Sequence, residues 1–382
     1  MASSQEAATA TDPRQAAMQL EQQGRNAEAE AAWRAILKAQ PNSAEALAHL
    51  GLIASHEEHY RDAVNFYRKA LAINPKFAGL RLNLALALFK SNELKEAIPE
   101  LNQLLKSAPA GSAEAQRYAI LLGMSYYGSQ EYAAAVPPLK QAAASDPQNL
   151  ALRLTLAQSC LWSKQYQCVL DTYHEILALN AESAEADMLA GEALDGQHNH
   201  SEATEQFRAA VKANPSEPNV HFGLGYLLWT QKQLDEAARE FQAELANDPK
   251  HTQAMLYLGD TYLQLNQPEK ARPFLEQAER ADPSLWRAHL DLGILAADAG
   301  QNEEALRQLQ IADKQQPSEV GIHMRLGRLY KAMGRIQEAK AEFAKADKLT
   351  QSADEDLVRK MSRTAPEPRP DAKPDATPSE PQ

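Results

Sequence analysis

The sequence is poor in cysteine, has no long hydrophobic run and shows no excess of basic residues. Cysteine occurs only twice in 382 residues, at Cys160 and Cys168. Two cysteines are too few for a disulfide framework, and their spacing matches neither a C-x-x-C redox motif nor a zinc motif. We therefore predict that both are ordinary helix residues. No stretch approaches the roughly 18 apolar residues that cross a bilayer, so we expect no membrane insertion.

The charge balance is acidic, which narrows the class of partner. Lysine and arginine number 39 against 51 aspartates and glutamates, a formal net charge of −12. A nucleic-acid binder needs basic surface to neutralise phosphates, so we expect protein partners and no nucleic acid.

The opening residues, MASSQEAATATDPRQ, lack the basic start and apolar stretch of a signal peptide. The chain as given is therefore predicted to be cytoplasmic, whereas a misplaced start would leave the cell envelope or periplasm open.

Prolines recur at a fixed interval along the chain. Steps of 34 residues join Pro41, Pro75 and Pro109, and the same step continues through Pro215, Pro249, Pro283 and Pro317. The step from Pro109 to Pro147 is 38 residues, which indicates a four-residue insertion near residues 110–115. Ala181 and Gln351 take the place of the proline in two units. A fixed period of this length predicts a repeat array, here of ten units over residues 10–353.

Two small or compact residues recur in each unit, twelve positions apart. The first series is Ala17, Gly51, Ala85, Gly123, Ala157, Gly191, Gly225, Gly259, Gly293 and Gly327. The second series is Ala29, Ala63, Ala97, Ala135, Val169, Ala203, Ala237, Ala271, Ala305 and Ala339. Apolar residues at helical spacing surround both series, and small residues permit two helix axes to cross closely. Each unit is therefore predicted to be two short helices joined by a tight turn.

This pattern resembles the tetratricopeptide repeat family. The stretch ALAHLGLIASHEEHYRDAVNFYRKALAINP, residues 46–75, comes close to the full pattern of that family, and the resemblance covers about nine tenths of the chain. It implies an all-α fold, a right-handed superhelical solenoid of tandem helix-turn-helix repeats. Helices of about thirteen residues are too short to be stable alone, so their stability must come from stacking on neighbours.

The ends and the insertion complete the predicted organisation. Residues 1–9 and the proline-rich tail, residues 364–382, have compositions that cannot bury enough apolar surface to fold, so we predict disorder for both. Residues 354–363 keep the repeat register for one more amphipathic helix, which we predict to cap the last repeat. The insertion near residues 110–115 is predicted to make the longest internal connection and to change the superhelical angle locally.

Motifs for catalysis and for cofactors are missing. GMSYYG around Ser125 has one residue too many for a G-x-S-x-G nucleophile elbow and falls within a predicted helix. GLG at residues 223–225 lacks the third glycine of a dinucleotide site, and no phosphate-binding G-x-x-x-x-G-K-[ST] occurs. We therefore predict that the chain is not an enzyme and needs no cofactor.

Two histidine pairs need separate consideration as metal ligands. His56 and His59 flank two glutamates in ASHEEHYRDA, and His198 and His200 lie in GQHNHSEA. A metal site of the H-E-x-x-H type needs two histidines four apart on one continuous helix. Both pairs instead fall in the predicted turn between the two helices of a unit, and the two turns are four units apart. We predict exposed polar turns and no metal site.

The resemblance also points to a surface for partners. In the tetratricopeptide family, the first helix of each unit lines the concave side, where peptides or partner helices bind. The matching positions here are largely apolar, although a solvent-facing stripe is ordinarily polar. The predicted partner-binding groove consists of Leu82, Leu86, Phe89, Ile120, Met124, Tyr127, Leu154, Leu161, Trp162, Met188, Phe222, Tyr226, Trp229, Leu256, Leu263, Leu290 and Ile294. The alternative is that part of this stripe only packs against neighbouring first helices.

Charges near the groove are uneven, and one family-specific pattern is missing. Glu185, Glu192 and Asp195 make the sixth unit acidic, which favours a basic or neutral ligand. The repeats of the O-linked N-acetylglucosamine transferases carry an inner ladder of asparagines. The equivalent series here has a single asparagine, in the order His49, Asn83, Leu121, Thr155, Leu189, Gly223, Tyr257 and Asp291.

The leading functional hypothesis is a non-enzymatic scaffold or adaptor whose concave groove binds a peptide or a helix of a partner protein. A second hypothesis is a structural module that self-associates. A third is a regulatory subunit of a separately encoded enzyme, such as a glycosyltransferase or a component of secretion or envelope assembly. The repeat pattern constrains the fold far more than it constrains the ligand.

Overall fold

The structure of the chain is a computed structural model that describes residues 12–77 and 79–364. Over these residues every regular element is an α-helix, and the prediction of an all-α repeat fold is confirmed. No helix within them is long and apolar enough to cross a membrane. The chain divides into two compact units between Glu217 and Pro218. The disorder predicted for residues 1–9 and for the tail beyond Thr364 lies outside the described residues.

The first unit contains six helix pairs. Their bounds, in chain order, are α1 (Pro13–Gln22), α2 (Asn26–Ala39), α3 (Ala44–His56), α4 (Tyr60–Ile73), α5 (Leu80–Lys90), α6 (Leu94–Ser107), α7 (Ala113–Gly128), α8 (Tyr132–Ser145), α9 (Leu150–Trp162), α10 (Tyr166–Leu179), α11 (Ala184–Gly196) and α12 (His200–Ala213). The odd-numbered helix of each pair is called the A helix below, and the even-numbered one the B helix.

The second unit contains four helix pairs of the same kind. Their bounds are α13 (Val220–Thr230), α14 (Leu234–Asn247), α15 (Thr252–Gln264), α16 (Pro268–Ala281), α17 (Trp286–Asp298), α18 (Asn302–Gln315), α19 (Val320–Ala332) and α20 (Ile336–Thr364). In both units the periodic prolines follow B helices, as Pro41 follows α2 and Pro249 follows α14. Proline fixes its own φ and has no N–H group, so it marks the end of one repeat and the start of the next.

The two series of small residues form the contact between the A and B helices of each pair. All twenty positions are buried, including Val169 at the one place where a larger residue replaces alanine. The spacing is tight: a Cβ added at Gly225 would lie 2.8 Å from a ring carbon of Phe241. The absence of a side chain at these glycines is therefore what allows an aromatic or leucine side chain of the B helix to fill the gap.

The turn between the A and B helices has the same backbone conformation in every pair. One residue per turn has a positive φ between 56° and 76°, namely Gly24, Glu58, Asn92, Gln130, Lys164, His198, Lys232, Asn266, Gly300 and Gly334. Only glycine, and to a lesser degree asparagine, adopts this left-handed conformation without a steric cost from Cβ. In the repeats that carry Glu, Gln, Lys or His at this position, the left-handed backbone conformation therefore destabilises the folded state.

Glycine at these costly turn positions is expected to stabilise the protein. Gln130→Gly and Lys164→Gly should each raise the free energy of unfolding by roughly 0.5–1 kcal/mol, because the relieved strain exceeds the added flexibility of the unfolded chain. Urea unfolding followed by circular dichroism measures the change. Gln130→Ala is the matched control, since alanine keeps the Cβ; an equal gain from alanine would show that the turn conformation is not the cause.

The insertion near residues 110–115 does not make the longest connection, and that prediction is wrong. The connection from α6 to α7 covers residues 108–112, whereas the connection from α12 to α13 covers residues 214–219 and is longer. The added residues instead lengthen α7, which has 16 residues. Ser112 caps its start by accepting a hydrogen bond from the backbone N–H of Ala115, and the alanines and glutamate that follow are strong helix formers.

The C-terminal segment also differs from expectation. Residues 354–363 do not form a separate helix, because α20 runs without a break from Ile336 to Thr364. At Gln351, where other repeats have proline, the chain retains its backbone N–H and continues the helical hydrogen bonding. The final B helix of the array and the predicted cap are thus one element.

The prediction for the two cysteines is wrong, because Cys160 and Cys168 form a disulfide. Cys160 lies near the end of α9 and Cys168 near the start of α10, and the intervening turn places their Cα atoms 5.8 Å apart. This separation lies within the range that a disulfide spans. Both side chains are buried between the helices beside Val169. The eight-residue spacing matches no linear motif, and only the helix-turn-helix geometry brings the two sulfurs together.

The disulfide has a measurable consequence. Iodoacetamide in guanidinium chloride should modify neither cysteine without a reductant and both after reduction, as mass spectrometry would show. Cys160→Ala combined with Cys168→Ala should lower the free energy of unfolding by about 2 kcal/mol, because the closed loop restricts the unfolded chain. Alkylation of both thiols in the unreduced protein would contradict the pairing.

Candidate partner-binding face

The structure places all the predicted groove residues on A helices, and the surface that their half-buried and exposed members form in each unit is called the A-helix face below. In the first unit they lie on α5 (Leu82, Leu86, Phe89), α7 (Ile120, Met124, Tyr127), α9 (Leu154, Leu161, Trp162) and α11 (Met188). In the second unit they lie on α13 (Phe222, Tyr226, Trp229), α15 (Leu256, Leu263) and α17 (Leu290, Ile294). Some neighbouring A helices within a unit contact each other, as α9 contacts α11 and α15 contacts α17.

The exposure of these side chains separates packing residues from surface residues. Leu161 is buried in the core of the first unit, so it serves packing and presents no surface. Leu256 is also buried, at 3% exposure. Trp162 is the opposite case, with 50% of its surface exposed. The remaining groove residues are half-buried, and several of them, such as Ile120 and Met124, contact the core on their inner side.

An aromatic cluster lies at the ends of α7 and α9 in the first unit. Tyr127 and Trp162 stack with ring centroids 5.7 Å apart, and Tyr132, the first residue of α8, lies 4.6 Å from Trp162. The Tyr127 hydroxyl donates a hydrogen bond to Gln158 Oε1 at 2.6 Å, and the Gln158 amide donates to Glu185. Burial raises the pKa of Tyr127 above its ordinary value, so the phenol remains a hydrogen-bond donor.

A larger aromatic cluster occupies the A helices of the second unit. Tyr257 on α15 is its centre, with ring centroids 5.3 Å from Tyr226, 5.2 Å from Trp229 and 5.9 Å from Phe222. The contacts with Tyr226 and Trp229 are edge-to-face, a favoured geometry for aromatic pairs. These rings are half-buried, so part of the cluster packs against the helices and part of it remains exposed.

Polar contacts hold this cluster in place. Trp229 Nε1 and Gln264 Nε2 each donate a hydrogen bond of 2.6 Å to Asp260 Oδ2. Arg287 donates to the Tyr257 hydroxyl at 3.2 Å. Burial raises the pKa of Tyr257, with the positive charge of Arg287 opposing the shift. These hydrogen bonds fix the orientation of the Trp229 and Tyr257 rings, and such pre-positioning would lower the entropy lost on binding a ligand.

Comparison with known proteins agrees with this architecture. Two sequence models described as tetratricopeptide repeat match the chain, one over residues 14–76, 170–218, 188–251, 222–285 and 290–354, and the other over residues 54–119. The chain belongs to the tetratricopeptide repeat family. No curated protein sequence matches it.

Solved structures resemble this tetratricopeptide repeat protein in fold. YrrB, described as a TPR protein with an unusual peptide-binding site, is 21% identical over 50% of this chain and 97% of its own, with a TM-score of 0.41. PilF of Pseudomonas aeruginosa is 20% identical over 55% of this chain and 95% of its own, with a TM-score of 0.49. The Cut9–Hcn1 assembly matches over 90% of this chain at 13% identity, covers 82% of that chain and has a TM-score of 0.45. At such identities the likeness concerns the fold alone.

The histidine pairs lie where the repeat register predicted. His56 ends α3 and His59 immediately precedes α4, while His198 lies in the turn after α11 and His200 begins α12. All four side chains are exposed. Among the residues that the structure describes, no group of three or more His, Cys, Asp or Glu side chains could hold a metal ion.

Several residues of the second-unit cluster were not predicted as groove residues. Tyr257 and Asp291 belong to the series that was tested only for an asparagine ladder, and Asp260 and Trp286 were not singled out. Together with Trp229 and four neighbours they enclose a pocket of about 240 Å³, called the α13–α17 pocket below. The sequence contained a signal that could have identified two of these residues. Tyr257 and Asp291 occupy the same repeat position in adjacent repeats, two residues before the small residues Gly259 and Gly293 of their A helices.

Proposed function

We propose that this chain is a non-enzymatic scaffold or adaptor whose A-helix face binds a peptide or a helix of a partner protein. A protein-interaction role is supported by membership of the tetratricopeptide repeat family. The observation that carries the finer proposal is the half-buried aromatic cluster of the second unit, formed by Phe222, Tyr226, Trp229 and Tyr257.

The composition of this cluster supports binding rather than packing alone. Tyrosine and tryptophan are the side chains that dominate binding energy at protein interfaces, where each truncation to alanine commonly costs 2 kcal/mol or more, in round numbers. A ring needed only for packing would be completed by neighbouring helices and would be fully buried, as Phe241 is at 0% exposure. The cluster rings stay partly exposed, while Asp260 holds the indole N–H of Trp229 and Arg287 donates to the Tyr257 hydroxyl.

A combined substitution on the A-helix face tests the proposal. Trp229→Ala with Tyr127→Ala is expected to reduce capture of the partner in a pull-down at least tenfold, in rough terms, because each unit then lacks one aromatic anchor. Helical circular dichroism should be unchanged. Arg239→Ala with Lys140→Ala, two exposed B-helix positions, is the matched control. Capture that survives the first pair of substitutions would refute the proposal.

Self-association is a second candidate, favoured by one observation. Trp162 is 50% exposed although it stacks on Tyr127 and contacts Tyr132, so these three rings form an aromatic patch on the surface of the first unit rather than a single scattered residue. If two copies associate through it, light scattering should show dimers at high protein concentration and monomers for Trp162→Ser. A strict monomer for the unaltered protein would contradict this candidate.

A further inference from the structure

The α13–α17 pocket has a composition that differs from the rest of the A-helix face. Rings of Trp229, Tyr257 and Trp286 line it, and Leu256 and Leu290 supply apolar surface. Carboxylates line it as well, from Asp260 on α15, Asp291 on α17 and Glu319 at the start of α19. The volume of about 240 Å³ suits a single side chain rather than a helix. Rings and acids in one small pocket are the chemistry that recognises a cation.

Among the three carboxylates that line this pocket, Asp291 is the one to which no described residue donates a hydrogen bond, whereas Asp260 and Glu319 each accept one or more. Asp291 is 8% exposed, yet its carboxylate accepts no hydrogen bond and forms no ion pair within 4 Å in the part of the chain that the structure describes. Burial, followed by repulsion from Asp260, raises the pKa of Asp291 well above its ordinary value, although Arg287 and Arg325 oppose the shift. A buried carboxylate without a partner is costly unless a ligand supplies the missing charge.

Arg287 lines the same pocket, and its contacts show that the rings accept a cation. Its guanidinium carbon lies 5.2 Å from the Trp286 ring centroid and 6.0 Å from that of Tyr257, which is within cation–π range. Its side chain is exposed and its hydrogen bond goes to the Tyr257 hydroxyl, not to an aspartate. The pocket is therefore compatible with a cation, and among the described residues neither aspartate forms an ion pair within 4 Å, although Arg287 and Arg325 are near enough to Asp291 to lower its pKa.

We infer that the α13–α17 pocket binds the cationic end of an arginine or lysine side chain of the partner segment, with the rings as walls and Asp291 and Asp260 as the opposing charges. This inference rests on the proposed function, since it names the chemistry of one residue in the bound segment. An acidic side chain would be repelled by the carboxylates, and a neutral one would leave Asp291 buried and unpaired.

The four tryptophans provide a direct test with small probes. In protein labelled with ¹⁵N at the indole nitrogens, N-acetyl-arginine-N′-methylamide should shift the signals of Trp229 and Trp286 in a saturable way. Trp33 and Trp162, which lie in the first unit, serve as internal controls and should not move. The lysine analogue should act in the same way, whereas the citrulline analogue, a neutral isostere of arginine, should produce no saturable shift. Equal shifts with arginine and citrulline, or none with either cation, would overturn the inference.

Two substitutions and one control test whether the arginine probe binds in the α13–α17 pocket. Asp291→Asn keeps the shape of the side chain and should weaken binding of the arginine probe about tenfold or more, because the buried charge partner is lost. Asp298→Asn, at the exposed end of the same helix, is the matched control and should bind as the unaltered protein does. Arg287→Gln removes a like charge from the pocket but keeps an N–H donor for the Tyr257 hydroxyl, so it should strengthen binding. Equal affinities for Asp291→Asn and the unaltered protein, or weaker binding by Arg287→Gln, would contradict the assignment.

The probe experiment is independent of partner capture. Partner capture through the A-helix face without probe binding would leave the proposed function standing and remove the pocket. Probe binding without any partner on the A-helix face would support a cation-binding pocket and remove the proposed function.

Discussion

Glu244→Ala is expected to lower the free energy of unfolding by about 3 kcal/mol, a large effect for one side chain. Glu244 on α14 is 1% exposed, and its carboxylate accepts hydrogen bonds from the backbone N–H groups of Asn219 and Phe222, each at 3.1 Å. These groups belong to the start of α13, where helical N–H groups lack partners within the helix and a negative charge is favoured. Alanine would leave both N–H groups without this acceptor, and the loss of two hydrogen bonds to a charged group exceeds the recovered cost of burying a carboxylate.

Urea unfolding followed by circular dichroism measures this change. Glu244→Gln should fall between the alanine variant and the unaltered protein, because glutamine keeps one acceptor but turns an N–H donor toward the second backbone N–H. Gln253→Ala, at an exposed position of α15, is the control and should lie within about 0.5 kcal/mol of the unaltered protein. If Glu244→Ala also lay within that range, the two hydrogen bonds would not be the support of α13 that the structure implies.

Gly259→Leu is expected to lower the free energy of unfolding by about 3 kcal/mol, as much as Glu244→Ala, because the added side chain overpacks the contact between two helices. A Cβ at this position would lie 2.5 Å from Leu275 Cγ and 2.6 Å from its Cδ2, closer than real Cβ contacts occur. Leu275 is itself fully buried, so it cannot move aside without displacing α16 from α15. Leucine has a higher helix propensity than glycine, by about 0.8 kcal/mol, and the expected loss is therefore net of that gain.

A comparison on the same helix separates the clash from helix propensity. Gln253→Leu adds a leucine to the exposed side of α15 and should change stability by at most about 0.5 kcal/mol. Gly259→Ala should be destabilising by about 1 kcal/mol despite the better propensity of alanine. A stabilised Gly259→Ala variant would show that the A and B helices have room to separate at this glycine.

The sequence predicted the repeat fold well because the repeat leaves the same constraint in every unit. Gly51 and Ala63 must be small where two helices cross, and the recurrence of such pairs at one interval revealed the register. The left-handed turn residue leaves a weaker trace, since Glu58 and Lys164 hold positions that Gly24 and Asn92 hold elsewhere. Tertiary packing of the two helices overrides the local preference of glutamate and lysine, so residue type alone did not show it.

The features that the sequence did not predict depend on contacts between helices. The Cys160–Cys168 disulfide could not be predicted without the distance between the two cysteines across the turn. The longer α7 could not be predicted because the sequence does not show on which side of Ser112 the four inserted residues lie. Burial distinguishes Leu161 from Trp162, which are neighbours in sequence. The α13–α17 pocket combines residues from adjacent repeats, and the position of Asp291 beside Asp260 follows only from the stacking of α15 and α17.

Site-specific photocrosslinking tests the central claim, that the A-helix face binds a segment of another protein, most directly. Benzoylphenylalanine would replace Tyr226 on the A-helix face or, as a control, Arg239 on the exposed side of α14. After irradiation in the native cell extract, mass spectrometry would identify the cross-linked peptides. We predict that position 226 cross-links to one defined segment of a different protein, that position 239 does not, and that Trp229→Ala removes the product. Equal cross-linking from both positions, or cross-links from position 226 only to a second copy of this chain, would contradict the claim.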